Sequence, residues 1–267
     1  MGTVLWDGVL FFALTTPITL ALTLSRECVI LVIVAVAWVF WAHKVRFERG
    51  WMNGFEVSKF VAGFAGLIYV TVVRGRNGDP GTAFILLFVN MAEAIAYDFC
   101  GTRARSPNGI AGCVLLARFW SETCAHRPTP ASGLAEQVHS CDVSLEWIVG
   151  YTSWNAAFSF GHGFSWSTRF ILVTAFLVSH VVLRVPSAWL SARCYSMMLN
   201  MALRAVQITS VYTPGKTFLT HADSAPRSVA TVPLLTWGLI NCVYVLGMAA
   251  RPTGMPSAGP GTLLNYQ

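Results

Sequence analysis

Residues 188–211 read AWLSARCYSMMLNMALRAVQITSV, an apolar stretch that nevertheless carries Arg193, Ser196, Asn200, Arg204 and Gln207. At about 100° per residue in a helix, these five polar side chains fall within roughly 40° of one line and form a stripe about 21 Å long. Two arginines on a helix in lipid are costly unless they face protein or water. The stripe is therefore expected to point into a bundle and to meet acidic or amide partners there. A soluble helix with one solvated face would show the same spacing, and the rest of the chain decides between the two.

The rest of the chain favours a bilayer. Of 267 residues, 55% are hydrophobic and only 11% charged, against about 25% charged in a soluble domain. Several runs of 15 to 22 residues with almost no charge have the length of helices that cross a hydrocarbon core about 30 Å thick. A closed barrel would show alternating segments of about ten residues instead. The expected fold is all-α, a polytopic transmembrane helical bundle occupying residues 1–250, followed by a Pro- and Gly-rich tail, 251–267, expected to be disordered. The formal charge of +6 lies mostly in the connections, where it suits orientation and contact with anionic lipid, not nucleic acid. The expected partner is the lipid bilayer, with a small solute or ion as the ligand class and no cofactor.

Eight spans are expected, near 4–24, 28–43, 55–73, 82–100, 143–160, 166–183, 188–211 and 229–249, the first retained and not a cleaved signal. Residues 108–120 form a ninth, shorter apolar run before Arg118 and Glu122, and its length suits a re-entrant or shortened helix as well as a span. Trp6, Trp41, Trp51, Trp147, Trp166 and Trp189 lie near span ends, as interfacial anchors do. The basic residues Lys44, Arg46, Arg49, Lys59, Arg103 and Arg105 fall on the N-terminal side and point to a cytoplasmic N-terminus.

Intramembrane polar residues mark function by default. Besides the stripe they comprise Lys59, Asn90, Glu93 and Asp98, then Asn108, Asn155 and Asn241. Glu93 lies mid-span and is the expected counter-charge for Arg204 or Arg193. Ala62, Gly63, Ala65 and Gly66 are small residues that let a second helix approach. A polar loop at 121–142 contains Cys124, His126, His139 and Cys141. These four could hold zinc or, through the two thiols, a disulfide, but the one-residue spacing within each pair is not that of common zinc motifs. An unpaired loop is the default.

The stretches Val89-Asn-Met-Ala-Glu-Ala-Ile-Ala-Tyr-Asp-Phe99, Asn108-Gly-Ile-Ala-Gly112 and Tyr151-Thr-Ser-Trp-Asn155 resemble an uncharacterised polytopic membrane family, a domain of unknown function found mainly in bacteria. In order and spacing the likeness extends from about Phe55 to Ala249. The resemblance implies a helical bundle and little about activity. The chain departs from it at 113–142, where the pattern implies a longer apolar helix, and at Phe160-Gly-His-Gly163.

Three function classes stay open. A transporter or channel would line a polar path with Glu93, Arg193, Asn200, Arg204 and Gln207. A structural or receptor-like bundle would use the same charges only to lock helix packing. A membrane-embedded enzyme could draw on His162, His180, Glu93 and Asp98 for acid and base, yet no HExxH, GxSxG or phosphate loop is present. The last span has no lysine for a retinal Schiff base.

Overall fold

The computed structural model describes residues 13, 15–23, 61–63, 65, 66, 80–100, 103–125, 143–162, 173–210 and 231–251, with side chains beyond 199 in the helix ending at Ser210 left out. Among them there is no strand. Five long helices follow one another: α1, Pro80–Cys100; α2, Ser106–Ala125; α3, Leu145–Gly161; α4, Trp189–Ser210; and α5, Thr231–Ala249. Residues 15–23 and the described part of 61–66 are also helical. Gly66 places its backbone close to α4, since a Cβ there would lie 3.5 Å from Cys194 Sγ. This is the approach that small residues allow.

The ends of these helices follow from local chemistry. Pro80 opens α1 with its φ already helical and no amide to leave orphaned. A 3-10 turn, Arg103–Arg105, and Pro107 in the first turn of α2 reverse the chain. At the start of α3, the Ser144 hydroxyl accepts from Trp147 N (3.2 Å) and donates to Glu122 Oε1 (3.0 Å), while Ser144 N donates to Glu122 Oε2 (3.2 Å). Glu122 also accepts from Arg118 Nε one turn back (3.0 Å). These bonds explain why α2 runs through to Ala125 where the sequence suggests a short helix over 108–120 and a loop from 121. Arg118 and Glu122 do not interrupt the helix, because they pair with each other and with the cap of the next one. The Ser144→Ala variant should lose about 0.5 to 2 kcal/mol, the range for removal of a helix cap, read as a lower thermal midpoint in detergent.

Among the described helices, α2 is the centre. It packs on α1, α3 and α5, and α3 also packs on α5. Close contacts are made at glycines: a Cβ on Gly112 would meet Ile95 of α1 and Trp154 of α3, and one on Gly238 of α5 would meet the Asn108 backbone. The core between helices is aromatic. Trp147 stacks on Tyr151 at 5.1 Å, and both meet Trp189 edge-on. Trp147 and Trp189 are thus fully buried, not the interfacial anchors their positions suggest; the Trp147 indole N–H donates to Leu115 O across to α2 (2.7 Å). The described part of the sixth expected span is a helix, Val173–Val182, which ends in a π-helical stretch, Leu177–Val182. The chain leaves it through Arg184, whose φ of 55° lies in the left-handed region usual for glycine.

The exposed faces of the described long helices are largely apolar. Ile85, Phe88 and Val89 of α1, Ile110 and Trp120 of α2, and Val232, Leu239, Ile240, Val243 and Leu246 of α5 are exposed. Among the described residues one helix, Thr231–Ala249, is long and apolar enough to cross a membrane, and only 28% of it is buried. Helix α2 spans about 30 Å at 1.5 Å per residue.

Candidate functional site

Inside these apolar faces lies a chain of polar side chains drawn from four helices and the 3-10 turn between α1 and α2. Asp98 sits in the last turn of α1, 1% exposed. Its Oδ2 accepts from Asn108 Nδ2 (2.8 Å), and its Oδ1 pairs with His162 Nε2 (3.1 Å) at the C-cap of α3. On the other side of the imidazole, Arg105 Nη1 lies 3.1 Å from Nδ1. A guanidinium has no acceptor, so Arg105 donates to Nδ1, and Nε2 then carries the proton given to Asp98. The pattern of bonds thus assigns the Nε2–H tautomer. Burial lowers the Arg105 pKa, opposed by the Asp98 carboxylate. Its Nη2 donates to Gly161 O (2.6 Å), which ties the 3-10 turn to the end of α3.

Asn108 is the hub. It also donates to Trp154 O (3.3 Å), its own backbone carbonyl accepts from Trp154 Nε1 (2.9 Å), and its Oδ1 accepts from Asn241 Nδ2 (3.0 Å). From Asn241 the chain continues through Ser153, whose hydroxyl donates to Asn241 Oδ1 (2.7 Å) and accepts from Trp237 Nε1 (3.1 Å). The amide is suited to this place because it offers two donors and an acceptor at once. Buried away from water, such groups must be satisfied by one another, and these are.

No protein family, curated protein or solved structure matches the chain.

Of the residues expected to act together, the structure joins Asp98, Asn108 and Asn241. Asn155 is half-buried and does not join them. Asn90 lies one turn before Glu93 on α1 and reaches α4, its Nδ2 3.9 Å from Met197 Sδ. Glu93 is half-buried on α1. Arg193 is 8% exposed and makes its described contacts with Tyr151, Nε to the phenol oxygen at 3.5 Å and the guanidinium 5.9 Å from the ring centre. The side chains of Asn200, Arg204 and Gln207, like Lys59, lie outside the described residues, and with them the pairing of Glu93 with Arg204. Cys124 lies in the last turn of α2, its side chain undescribed; His126, His139 and Cys141 lie outside, so the metal and disulfide alternatives stay where the sequence leaves them.

Sequence reasoning put Arg105 in a basic connection and gave Ser153 and Trp237 no role in such a network. Their signal was weak: a serine two residues after Tyr151 and a tryptophan one turn before Asn241. His162 was visible as a candidate acid or base, but only the fold reveals Asp98 beside it. His180, by contrast, stacks on Phe176 at 4.8 Å and contacts the Ser179 hydroxyl through Nδ1 (2.8 Å), a packing role.

Proposed function

We propose that the chain is a multi-pass integral membrane protein, with the eight spans read from the sequence and α2 as a further full crossing, and that it carries a small solute or ion along a polar path. The observation that carries the membrane reading is a pair of features: Asp98, Asn108 and Asn241 are buried and bonded to one another, while large apolar side chains of α1, α2 and α5 face outward over long stretches. Extended apolar faces of this kind suit lipid better than water. Charged groups also mark two levels. Arg105 and His162 lie at one end of the bundle, and Arg118, Glu122, Glu146 and Arg251 at the other. Ser106 and Glu122 are sixteen residues apart on α2, about 24 Å along its axis, which is close to a hydrocarbon thickness.

For the path itself, support comes from the contact of Asn90 with Met197, which brings the polar face of α1 against the stripe of α4. Glu93 follows Asn90 by a turn, and Arg193 precedes Met197 by a turn. The basic residues of the N-terminal side favour a cytoplasmic N-terminus. Kinship with the uncharacterised membrane family is proposed on its three motifs, which meet at Asp98, Asn108 and Trp154.

A structural reading rests on a different observation, the full internal satisfaction of the Asp98–Asn108–Asn241 chain, which suits a lock on helix packing. Flux decides. In liposomes holding the purified protein, passage of protons, simple ions or small anions is expected, with Glu93→Gln reducing it at least tenfold. Impermeable liposomes, with Glu93→Gln impairing folding alone, would favour the lock.

A further inference from the structure

We propose that Arg193, Trp189 and Tyr151 form a binding site for a small oxyanion, a carboxylate or a phosphate, at the first turns of α4. This deepens the transport reading by naming the class of solute, and it rests on that reading only for the claim that the anion is carried.

Arg193 is more than nine-tenths buried, and no described carboxylate lies within ion-pair distance of it. Its two contacts, both with Tyr151, are at the outer limit of their kinds. A phenol oxygen at 3.5 Å and a ring face at 5.9 Å orient a guanidinium but do not neutralise it. A buried cation is retained where an anion compensates it.

Trp189 supplies a second, independent sign. It lies one turn before Arg193 on the same face of α4, is 1% exposed, and its indole N–H is buried with no acceptor among the described residues. Buried donors of this kind nearly always have a partner, so an orphan calls for an explanation such as a ligand or ion. Both residues lie against the same Tyr151, Trp189 with its ring centre 5.4 Å away and Arg193 over the ring. The site thus offers the planar donor fork of an arginine, one indole N–H and one phenol O–H. No group in it is anionic, so a cation would be repelled. A fork of parallel N–H donors matches a carboxylate or phosphate edge better than a spherical ion.

The test is isothermal titration of the full chain in detergent with sodium acetate and with inorganic phosphate at fixed ionic strength, and sodium chloride as the comparison. Saturable binding of acetate or phosphate is expected, and which of the two binds identifies the source. Arg193→Gln should weaken it more than tenfold, Arg193→Lys less. Trp189→Phe keeps the aromatic packing and removes only the N–H, and should weaken binding about tenfold. Absence of saturable binding by either oxyanion, equal binding of chloride, or unchanged affinity in Trp189→Phe and Arg193→Gln would overturn the site. Binding that depends on both residues without flux in liposomes would leave the site standing and remove transport; flux indifferent to both would do the reverse.

Discussion

Replacing Asn108 by alanine should lower the stability of the purified protein by about 3 kcal/mol, more than any other single truncation of the polar chain. The side chain makes three bonds, to the Asp98 carboxylate, the Trp154 carbonyl and the Asn241 amide. A bond to a charged group contributes roughly 1.5 to 3 kcal/mol and a neutral one about 1. Loss of the amide would also strand Asp98 and Asn241, both buried. Competition from other partners in the membrane-unfolded state reduces such values, so the estimate is set below the simple sum. Asn155→Ala, half-buried and outside the chain, should cost under about 1 kcal/mol. The Asn108→Ala, Asn241→Ala pair should lose less than the sum of its single losses, because each single change strands the other amide. Additive losses in thermal or denaturant unfolding would sever the link between them.

Gly112→Ala should cost about 2 to 3 kcal/mol even though alanine is the better helix former. A Cβ at this position would stand 2.7 Å from Ile95 Cγ1 and 2.8 Å from Trp154 Nε1, well inside the 3.5 to 4.0 Å of ordinary contact. Trp154 cannot yield easily. Its N–H is bonded to Asn108 O, and its ring lies between Tyr151 and Phe158. The helices must part instead, and overpacking of this kind costs about 1 to 3 kcal/mol. Gly247 of α5 is the control, since nothing lies within 4 Å of a Cβ there. Gly247→Ala should be neutral or stabilising by up to about 1 kcal/mol. Equal effects at the two glycines would contradict the close packing of α1, α2 and α3.

The contrast between these glycines shows where sequence reasoning stops. Helix α4 and the last span were legible within a few residues, because a long apolar run bounded by Pro186 or by polar connections has few other solutions. Helical spacing puts Asn90, Glu93 and Tyr97 on one face of α1 with Asp98 some 80° away, yet Asp98 is the fully buried member and Tyr97 is 42% exposed. Periodicity ranks faces by polarity and cannot say which neighbour supplies a partner; Asp98 is inside because Asn108 and His162 meet it there. For the same reason Arg118 and Glu122 read as interruptions of α2, when each is satisfied by the other and by the Ser144 cap. Trp147 and Trp189 misled in the opposite sense, since tryptophan near a span end suits an interface and an aromatic core equally well.

The proposed membrane arrangement requires that α2, α3 and α5 cross the bilayer together. Arg103 and Arg251 are both exposed and lie at opposite ends of these helices. With the seven native cysteines replaced by alanine or serine, single cysteines would be introduced as Arg103→Cys and Arg251→Cys. Each would be treated with a membrane-impermeant maleimide on sealed vesicles of known orientation. Labelling from opposite sides is expected, Arg103→Cys from the cytoplasmic face and Arg251→Cys from the other; labelling of both from one side, or extraction of the protein from the vesicles by alkaline carbonate, would contradict the membrane arrangement.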